Sequence, residues 1–264
     1  MVNFIKLIWE YRGFILGNVR REFQSKYRNS LLGMTWSVLN PLSMIIVYTV
    51  IFSQVMRAKL PGVDSQYAYS IYICSGILTW GLFADIILRS QNVFLDNANL
   101  IKKINFPKIC LPVTVVGGAL VNFCIIFSLF TVFLIISGDF HGLPYLSLIP
   151  VLIIMMILAI GLGIIVGVMN VFFRDVGQFF GIVLQFWFWL TPIIYPSSIL
   201  PERLRPMINY NPMASVVDAC QKVLVNGAYP NWMTLLYPAS LGLVLCMIGL
   251  NLFRKHIGEM VDEL

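Results

Sequence analysis

An uncharged aromatic cluster is the feature of this sequence best suited to bind a ligand. The segment QFWFWLTPIIY, residues 185–195, holds five aromatic residues among eleven. Aromatic rings offer large flat surfaces for stacking, so the segment suits a bulky neutral body such as a sugar ring. Pro192 predicts a break in the helix that carries the rings. Taken singly, each Trp or Tyr also fits the aromatic belt at a membrane interface.

Ionisable side chains that could do acid–base chemistry are scarce in the apolar stretches. The acidic candidates are Asp85, Asp218, and Asp175 beside Arg174. Asp85 lies four residues before Arg89, a spacing that predicts a local ion pair on a helix. Enzymes and ion-coupled carriers need ionisable groups within the membrane, so both classes are disfavoured.

The sequence predicts no metal or nucleotide site in the chain itself. His141 and His256 are isolated, and the five cysteines have no CxxC spacing. A Walker loop requires a Gly-Lys pair, and the sequence contains none. We therefore expect no cofactor to bind to this chain, and we expect any energy for transport to come from another subunit.

The composition requires a lipid environment. Of 264 residues, 59% are hydrophobic and 11% are charged, against about 25% charged in soluble domains. The mean hydropathy is +0.84. These values predict an integral membrane protein. No linker divides residues 1–264, which indicates one membrane domain. In a membrane protein, the net charge of +6 does not predict a nucleic-acid partner.

Stretches without charged residues predict an all-α fold with six transmembrane helices of about 20 residues or more. The predicted spans are 31–56, 68–88, 109–137, 147–172, 177–195 and 231–253. Of the 18 Lys and Arg residues, 13 fall on one side of this topology. The five on the other side are Arg57, Lys59, Arg203, Arg205 and Lys222. Because Lys and Arg concentrate in cytoplasmic loops, both termini are predicted to be cytoplasmic.

Three segments outside the spans have predicted structures of their own. Residues 1–28 repeat apolar side chains at three- and four-residue steps, which indicates an amphipathic helix in the cytoplasmic interface. Residues 196–230 are apolar but broken by prolines, which predicts short re-entrant outer helices that serve as a gate or as packing. Residues 96–107 predict a short cytoplasmic helix that Asp96 caps and Pro107 ends.

The helix predicted over 96–107 has an apolar stripe. Its members are Leu100, Ile101 and Ile104. An apolar stripe exposed in a cytoplasmic loop favours contact with a partner protein. A return of the stripe to the bilayer, with the neighbouring lysines at lipid phosphates, is the alternative.

Six motifs in a fixed order carry a resemblance that covers essentially the whole chain. They are RREFQSKYRNSLLG, TWSVLNPL, NLIKKINFPK, FFRDV, FWFWLTPIIY and YNPM. Together they resemble the membrane subunit of bacterial ABC transporters that export polysaccharides. The resemblance implies a six-span permease in the inner membrane, among membrane lipids, that pairs with a second copy of itself. It also implies two copies of a separate ATP-binding subunit, on which ATP and Mg²⁺ bind.

The resemblance assigns roles to particular positions. Residues 96–107 would be the coupling helix that inserts into a cleft of the ATPase, and residues 196–230 would form the outer gate. The implied coupling residues are Asn97, Leu100, Ile101, Ile104 and Phe106. The candidate residues of the substrate pathway are Trp36, Tyr48, Trp187, Phe188 and Tyr195.

The substrate stays open within this resemblance. Transporters of this kind carry lipid-linked glycan to the outer side of the membrane, and O antigen is favoured over capsule, teichoic acid, or a small drug or lipid. A membrane enzyme that modifies lipid or glycan is the alternative of another class. It would depend on Asp85, Arg174, Asp175 or Asp218.

Overall fold

A computed structural model of the chain is all-helical in the part that it describes, with no β-strand there. It describes residues 6, 9–27, 33–55, 65–103, 107–199, 201–203 and 205–264, so the predicted outer loop with Arg57 and Lys59 lies outside it. The helices are α1 (Arg12–Tyr27), α2 (Trp36–Thr49), α3 (Ala68–Asp96), α4 (Ala98–Lys103), α5 (Cys110–Ser137), α6 (Leu148–Phe172), α7 (Asp175–Leu190), α8 (Arg205–Ile208), α9 (Pro212–Asn226) and α10 (Trp232–Glu263).

Four of these helices are long and apolar enough to cross a membrane: α3, α5, α10, and α6 together with the 3₁₀ turn before it. The apolar helix α2 is shorter and continues as a π-helix over Val50–Val55. α7 has 16 residues, about 24 Å at 1.5 Å per residue, against a hydrocarbon core of about 30 Å. The predicted all-α membrane fold is confirmed, while the count of six spans stays a prediction.

Two departures from the predicted spans bear on the functional site. α3 continues to Asp96 rather than stopping near residue 88, because Val93 and Phe94 in its last turns are buried in an apolar cluster. α7 ends at Leu190, and residues 191–195 are not helical. Pro192 has no N–H to continue the helix, so the last part of the fifth predicted span is irregular backbone.

Glycines bring α3, α6 and α10 into close contact, and we call these three the scaffold helices. A Cβ on Gly167 of α6 would lie 2.5 Å from the carbonyl oxygen of Ser90 on α3. A Cβ on Gly161 would lie 2.6 Å from the backbone nitrogen of Cys246 on α10. Small residues let helix backbones approach closely in membranes, where packing rather than exclusion of water drives association. The scaffold therefore depends on residues that have no side chain at these contacts.

The N-terminal helix α1 lies against α5. Ile15 is buried, and a Cβ on Gly117 of α5 would lie 3.0 Å from Cγ2 of Val19. Ile15 and Val19 of the predicted apolar face thus pack on the protein. Phe4 and Ile8, which the same periodicity includes, lie outside the described residues.

The predicted coupling helix starts later than its sequence indicates. Asp96 ends α3 instead of capping the next helix, and Asn97 forms the turn before α4. Ile104 and Phe106, the last two implied coupling residues, lie outside the described residues.

The apolar stripe of α4 is turned toward the chain itself. Ile101 is 6% exposed and packs in the same apolar cluster with Phe94 of α3 and Met260 of α10, and half-buried Leu100 packs against that cluster. The expectation that Ile101 is exposed is therefore wrong, because the ends of α3 and α10 extend far enough to cover it.

Short helices occupy the segment after α7, as its prolines predict. A 3₁₀ turn over Ser197–Ile199 and the single turn α8 lead to α9. The side chain of Asn211 caps α9 by accepting a hydrogen bond from the backbone N–H of Met213 at 3.1 Å. Gly227 ends α9 with a φ of 61°, a left-handed conformation that glycine adopts without strain.

Candidate functional site

Side chains of α3 satisfy the irregular backbone at residues 191–195, which we call the break. Backbone carbonyls away from water need hydrogen-bond donors. Tyr69 Oη donates to the carbonyl oxygen of Ile194 at 3.0 Å. Tyr72 Oη lies 3.2 Å from the carbonyl oxygen of Tyr195. The break is thus a built feature of the fold and not an unsupported loop.

Gln221 of α9 holds the break from a second direction. Its Nε2 lies 3.3 Å from the carbonyl oxygen of Ile193 and 3.5 Å from that of Pro192. Gly76 of α3 permits this approach, because a Cβ there would lie 3.0 Å from Gln221 Nε2 and 3.2 Å from the Ile193 oxygen. Gln221 is 4% exposed, so its amide interacts with the backbone of the break and not with solvent.

Two rings of the aromatic cluster pack on α3. The Trp187 ring lies edge-on to Phe83 and Trp80, with centroids 5.3 and 6.0 Å away, and the Phe188 ring lies 5.8 Å from Trp80. Trp187 Nε1 donates to Asn211 Oδ1 at 2.8 Å. Trp187 and Phe188 therefore join α7 to α3 and to the start of α9.

The other rings of the cluster point away from the scaffold. Phe186 and Trp189 are exposed, as are Phe179 and Ile182 on the preceding turns of α7. Sequence reasoning treated residues 185–195 as one surface, but the helical twist divides the rings between two faces. The spacing of the residues is enough to predict this division, since positions two apart on a helix do not face the same way.

The remaining pathway candidates lie in two places. Tyr195, the last residue of the break, donates through Oη to the carbonyl oxygen of Trp189 at 2.8 Å. Tyr48 stacks on Phe52 at 6.2 Å, and Phe52 lies 5.5 Å from Tyr69, which supports the break. The structure thus brings Tyr48, Trp187, Phe188 and Tyr195 to the surroundings of the break.

Trp36 lies apart from the other pathway candidates. It is 42% exposed and lines a cavity of about 480 Å³ between α2, α3 and α5. The amides of Asn40 and Asn122 and the carboxylate of Asp85 line the same cavity. An otherwise apolar cavity with a few polar groups is typical of a ligand site.

A second cavity, which we call the outer cavity, lies beside the break and has a volume of about 620 Å³. Pro192 of the break, Tyr72 of α3 and Thr234 of α10 contribute to its wall. The other residues that line it come from the segment between α7 and α10 and are Ser197, Glu202, Pro206, Ile208, Asn209, Ala214, Ser215, Asp218 and Gln221. Polar groups from both the loops and α9 therefore converge on this cavity.

An ion-pair network joins the N-terminal helix to the end of α3 that leads into α4. Arg89 Nε lies 2.7 Å from Asp85 Oδ1, which confirms the predicted local pair, and Arg89 also pairs with Glu22 of α1. A cavity of about 600 Å³ adjoins the network, and Asn97 and Leu100 line it. Two of the implied coupling residues therefore lie beside the contact between α1 and α3.

A buried amide that sequence reasoning missed fixes the turn between α6 and α7. Asn170 is 2% exposed. Its Nδ2 donates to the carbonyl oxygen of Gln91 at 2.8 Å, and its Oδ1 accepts from the N–H of Gly177 at 2.8 Å. The motif FFRDV begins two residues after Asn170, so a polar residue near the end of an apolar run was the available signal.

The carboxylates on which an enzyme would depend are engaged or exposed. Asp85 is paired with Arg89, and Asp218 Oδ2 lies 2.6 Å from Lys222 Nζ. Asp175 is exposed at the start of α7. Within the described ranges, no three His, Cys, Asp or Glu residues lie close enough together to hold a metal ion.

Comparisons with known proteins agree on one family. Residues 15–225 match the model of the ABC-2 type transporter family. The chain is 32% identical to the O-antigen export system permease protein RfbA of Klebsiella pneumoniae over 89% of this chain and 88% of the relative. It is 28% identical to the protein of the same name from Myxococcus xanthus over the full length of both. It is 23% identical to the polysialic acid transport protein KpsM of Escherichia coli over 92% of this chain and 93% of the relative.

Proposed function

The chain belongs to the ABC-2 type transporter family, and we propose that it is the membrane subunit of an exporter that carries lipid-linked polysaccharide across a bacterial inner membrane. The observation that carries this proposal is the likeness, over nearly their whole length, to relatives named for O-antigen export. O antigen is favoured over an acidic capsule because the relative named for polysialic acid transport is less similar.

A partner ATP-binding subunit supplies the energy in an ABC transporter, and we infer an assembly of two copies of this chain with two copies of that subunit. ATP and Mg²⁺ bind to the partner. Both termini and α4 face the cytoplasm in this proposal, which rests on the 13-to-5 distribution of Lys and Arg.

The coupling role of α4 is supported by its position between two longer helices. Leu100 and Ile101 pack in one cluster with Phe94 of α3 and Met260 of α10. Displacement of α4 by the ATPase would therefore be passed to two scaffold helices at once. α1 packs against the same cluster through Phe14 and contributes the ion pair with Arg89.

The aromatic surroundings of the break are proposed as the part of the pathway that the glycan contacts. Tyr48, Trp187, Phe188 and Tyr195 are uncharged, and ring stacking of about 0.5–1.5 kcal/mol per pair is weak enough to release a moving polymer. Trp36 would contact the substrate from the separate cavity between α2, α3 and α5.

The function is tested by deleting the gene and restoring it on a plasmid in the native host. We expect deletion to remove surface glycan and to leave lipid-linked glycan inside the inner membrane, since synthesis continues without export. Unchanged surface glycan in the deletion strain would exclude the proposed function. The composition of the retained glycan distinguishes O antigen from capsule or teichoic acid.

The coupling assignment is tested by Leu100→Asp, with Asn99→Asp as the matched control on the exposed side of α4. An unpaired charge in a desolvated apolar contact costs on the order of 2–5 kcal/mol. We expect Leu100→Asp to insert normally, to lose export and to retain less ATPase on purification, while Asn99→Asp behaves as the wild type. Normal export and normal retention of the ATPase by Leu100→Asp would contradict the assignment.

A further inference from the structure

The outer cavity has a size and wall chemistry that the packing of the helices does not require. Its volume of about 620 Å³ lies within the range of small-molecule sites, roughly 300–1,000 Å³. It adjoins the break, because Pro192 of the break and Tyr72, which supports the break, line it. A polymer that passes the break would therefore have this cavity beside it.

Hydrogen-bonding groups in the cavity wall remain available to a ligand. Asp218 is about half-exposed, and its Oδ2 is held by Lys222 Nζ at 2.6 Å. Its other oxygen, Oδ1, has no hydrogen-bond partner in the part of the chain that the structure describes. Glu202 is exposed, and Ser215 of α9 also lines the cavity.

These groups match the hydroxyls of a sugar. A carboxylate accepts short, charge-assisted hydrogen bonds from hydroxyl groups, and Glu202 and Asp218 are both acceptors. Ser215 and Asn209 add groups that donate and accept. Pro206 and Ile208 supply apolar wall for the C–H faces of a sugar ring.

The charge of the wall argues against a lipid headgroup as the occupant. Lys222 neutralises Asp218, and Glu202 adds a further negative charge at the wall. A phosphate placed there would be repelled by Glu202, whereas a neutral sugar would not.

We propose that the outer cavity is a glycan-binding subsite that holds sugar units of the exported chain after they pass the break. The subsite rests on the proposed function, because it needs a glycan that crosses the membrane. Its direct ligands are Glu202, Asn209, Ser215 and Asp218, and Gln221 positions the cavity wall through the break.

Photocrosslinking in cells that export glycan tests the subsite directly. The photoreactive amino acid p-benzoylphenylalanine replaces Ser215 in the outer cavity or, as the matched control, Ser240 on the exposed face of α10. A third variant carries it at Trp187 near the break. After illumination, antibodies against the glycan and against the permease detect adducts on the same blot.

We expect a glycan adduct at Ser215 and none at Ser240. An adduct at Trp187 without one at Ser215, or a phospholipid adduct at Ser215, would overturn the subsite and leave the proposed function intact. Absence of glycan adducts at every position, together with normal surface glycan in the deletion strain, would overturn both.

A second measurement avoids the photoreactive side chain. The double variant Glu202→Gln with Ser215→Ala nearly keeps the shape of the cavity, replaces a charged acceptor by a neutral amide and removes one hydroxyl group. We expect export to slow by about two- to tenfold, the range for loss of one net hydrogen bond, with normal ATPase retention. The matched control is Glu259→Gln with Ser240→Ala, and equal export rates in the two double variants would contradict the subsite.

Discussion

The scaffold helices and the pair α2 and α7 are built in opposite ways. α3, α6 and α10 approach each other through glycines, with Gly161 and Gly167 against the backbones of their neighbours. α2 and α7 instead expose large apolar side chains along much of their length, including Ile46 and Phe186. In the middle of α7, Gly181 has no atom within 4 Å of the position of a Cβ.

This difference indicates which part of the subunit is fixed and which part meets other molecules. Close backbone contact leaves the scaffold no room to change its packing. The surfaces of α2 and α7 make few contacts within the chain, so they are available to lipid, to a second copy or to the glycan. The break lies where α7 meets the scaffold, so it joins the two regions.

The largest effect is expected from Gly167→Leu, which tests the scaffold. Its Cβ would lie 2.5 Å from the Ser90 carbonyl oxygen, and overpacking of this kind costs typically 1–3 kcal/mol and sometimes more, so we expect about 3 kcal/mol. The purified permease should lose most of its thermal stability in detergent. Gly181→Leu makes the same change in open space and should unfold at the wild-type temperature. Equal stability of the two variants would remove the distinction between the regions.

Trp187→Ala and Trp189→Ala make the same change on the two faces of α7. Trp187 packs on Phe83 and donates to Asn211, so its loss should cost about 2–3 kcal/mol, less than the 3–5 kcal/mol of a fully buried Trp. Trp189 is 59% exposed and should be neutral for stability of the subunit. Thermal unfolding of both variants in detergent measures the two losses of stability. A greater loss of stability in Trp189→Ala than in Trp187→Ala would show that the inward and outward faces of α7 are assigned wrongly.

Sequence patterns predicted which segments form helices far better than which side of each helix is buried. Apolar runs are local, so the helices from Cys110, Leu148 and Trp232 begin within a few residues of the predicted spans. Which face of a helix is buried depends on distant neighbours. Ile101 is buried in a cluster that includes Met260, more than 150 residues later.

The site shows the same limit. The aromatic cluster and Pro192 predicted a break with rings beside it, and both are present. The division of Trp187 from Trp189 and the support of the break by Tyr69 depend on how α7 sits on α3. Hydropathy describes how apolar a segment is, and it carries no information on that placement.

Gln221→Leu tests the junction between the two regions. The change removes the amide that lies 3.3 Å from the Ile193 carbonyl oxygen, and interhelical hydrogen bonds in membrane proteins contribute about 0.6 kcal/mol on average, with a maximum near 1.7. We expect a stability loss of about 1 kcal/mol and slower export, because the break loses one of its supports. Gln185→Leu on exposed α7 is the control and should leave stability unchanged, and an equal loss in both would contradict the role of Gln221.

The smallest effect is expected from Glu22→Gln. This variant tests whether α1 is fixed to the scaffold or, like α2 and α7, is available to other molecules. The Glu22 and Arg89 side chains are partly exposed, at 47% and 24%, and ion pairs in contact with solvent contribute about 0.2–1 kcal/mol. The difference in stability between Glu22→Gln and the wild type should become smaller as salt is raised, because screening weakens the ion pair in the wild type. Glu259→Gln near the C-terminal end of α10 makes the same change outside the network. If α1 is held to α3 mainly by this pair, limited proteolysis of Glu22→Gln should cut α1 faster at low salt, while Glu259→Gln is cut at the wild-type rate. Equal rates would mean that apolar packing of Ile15 and Val19 on α5 suffices to hold α1, which would place α1 with the scaffold.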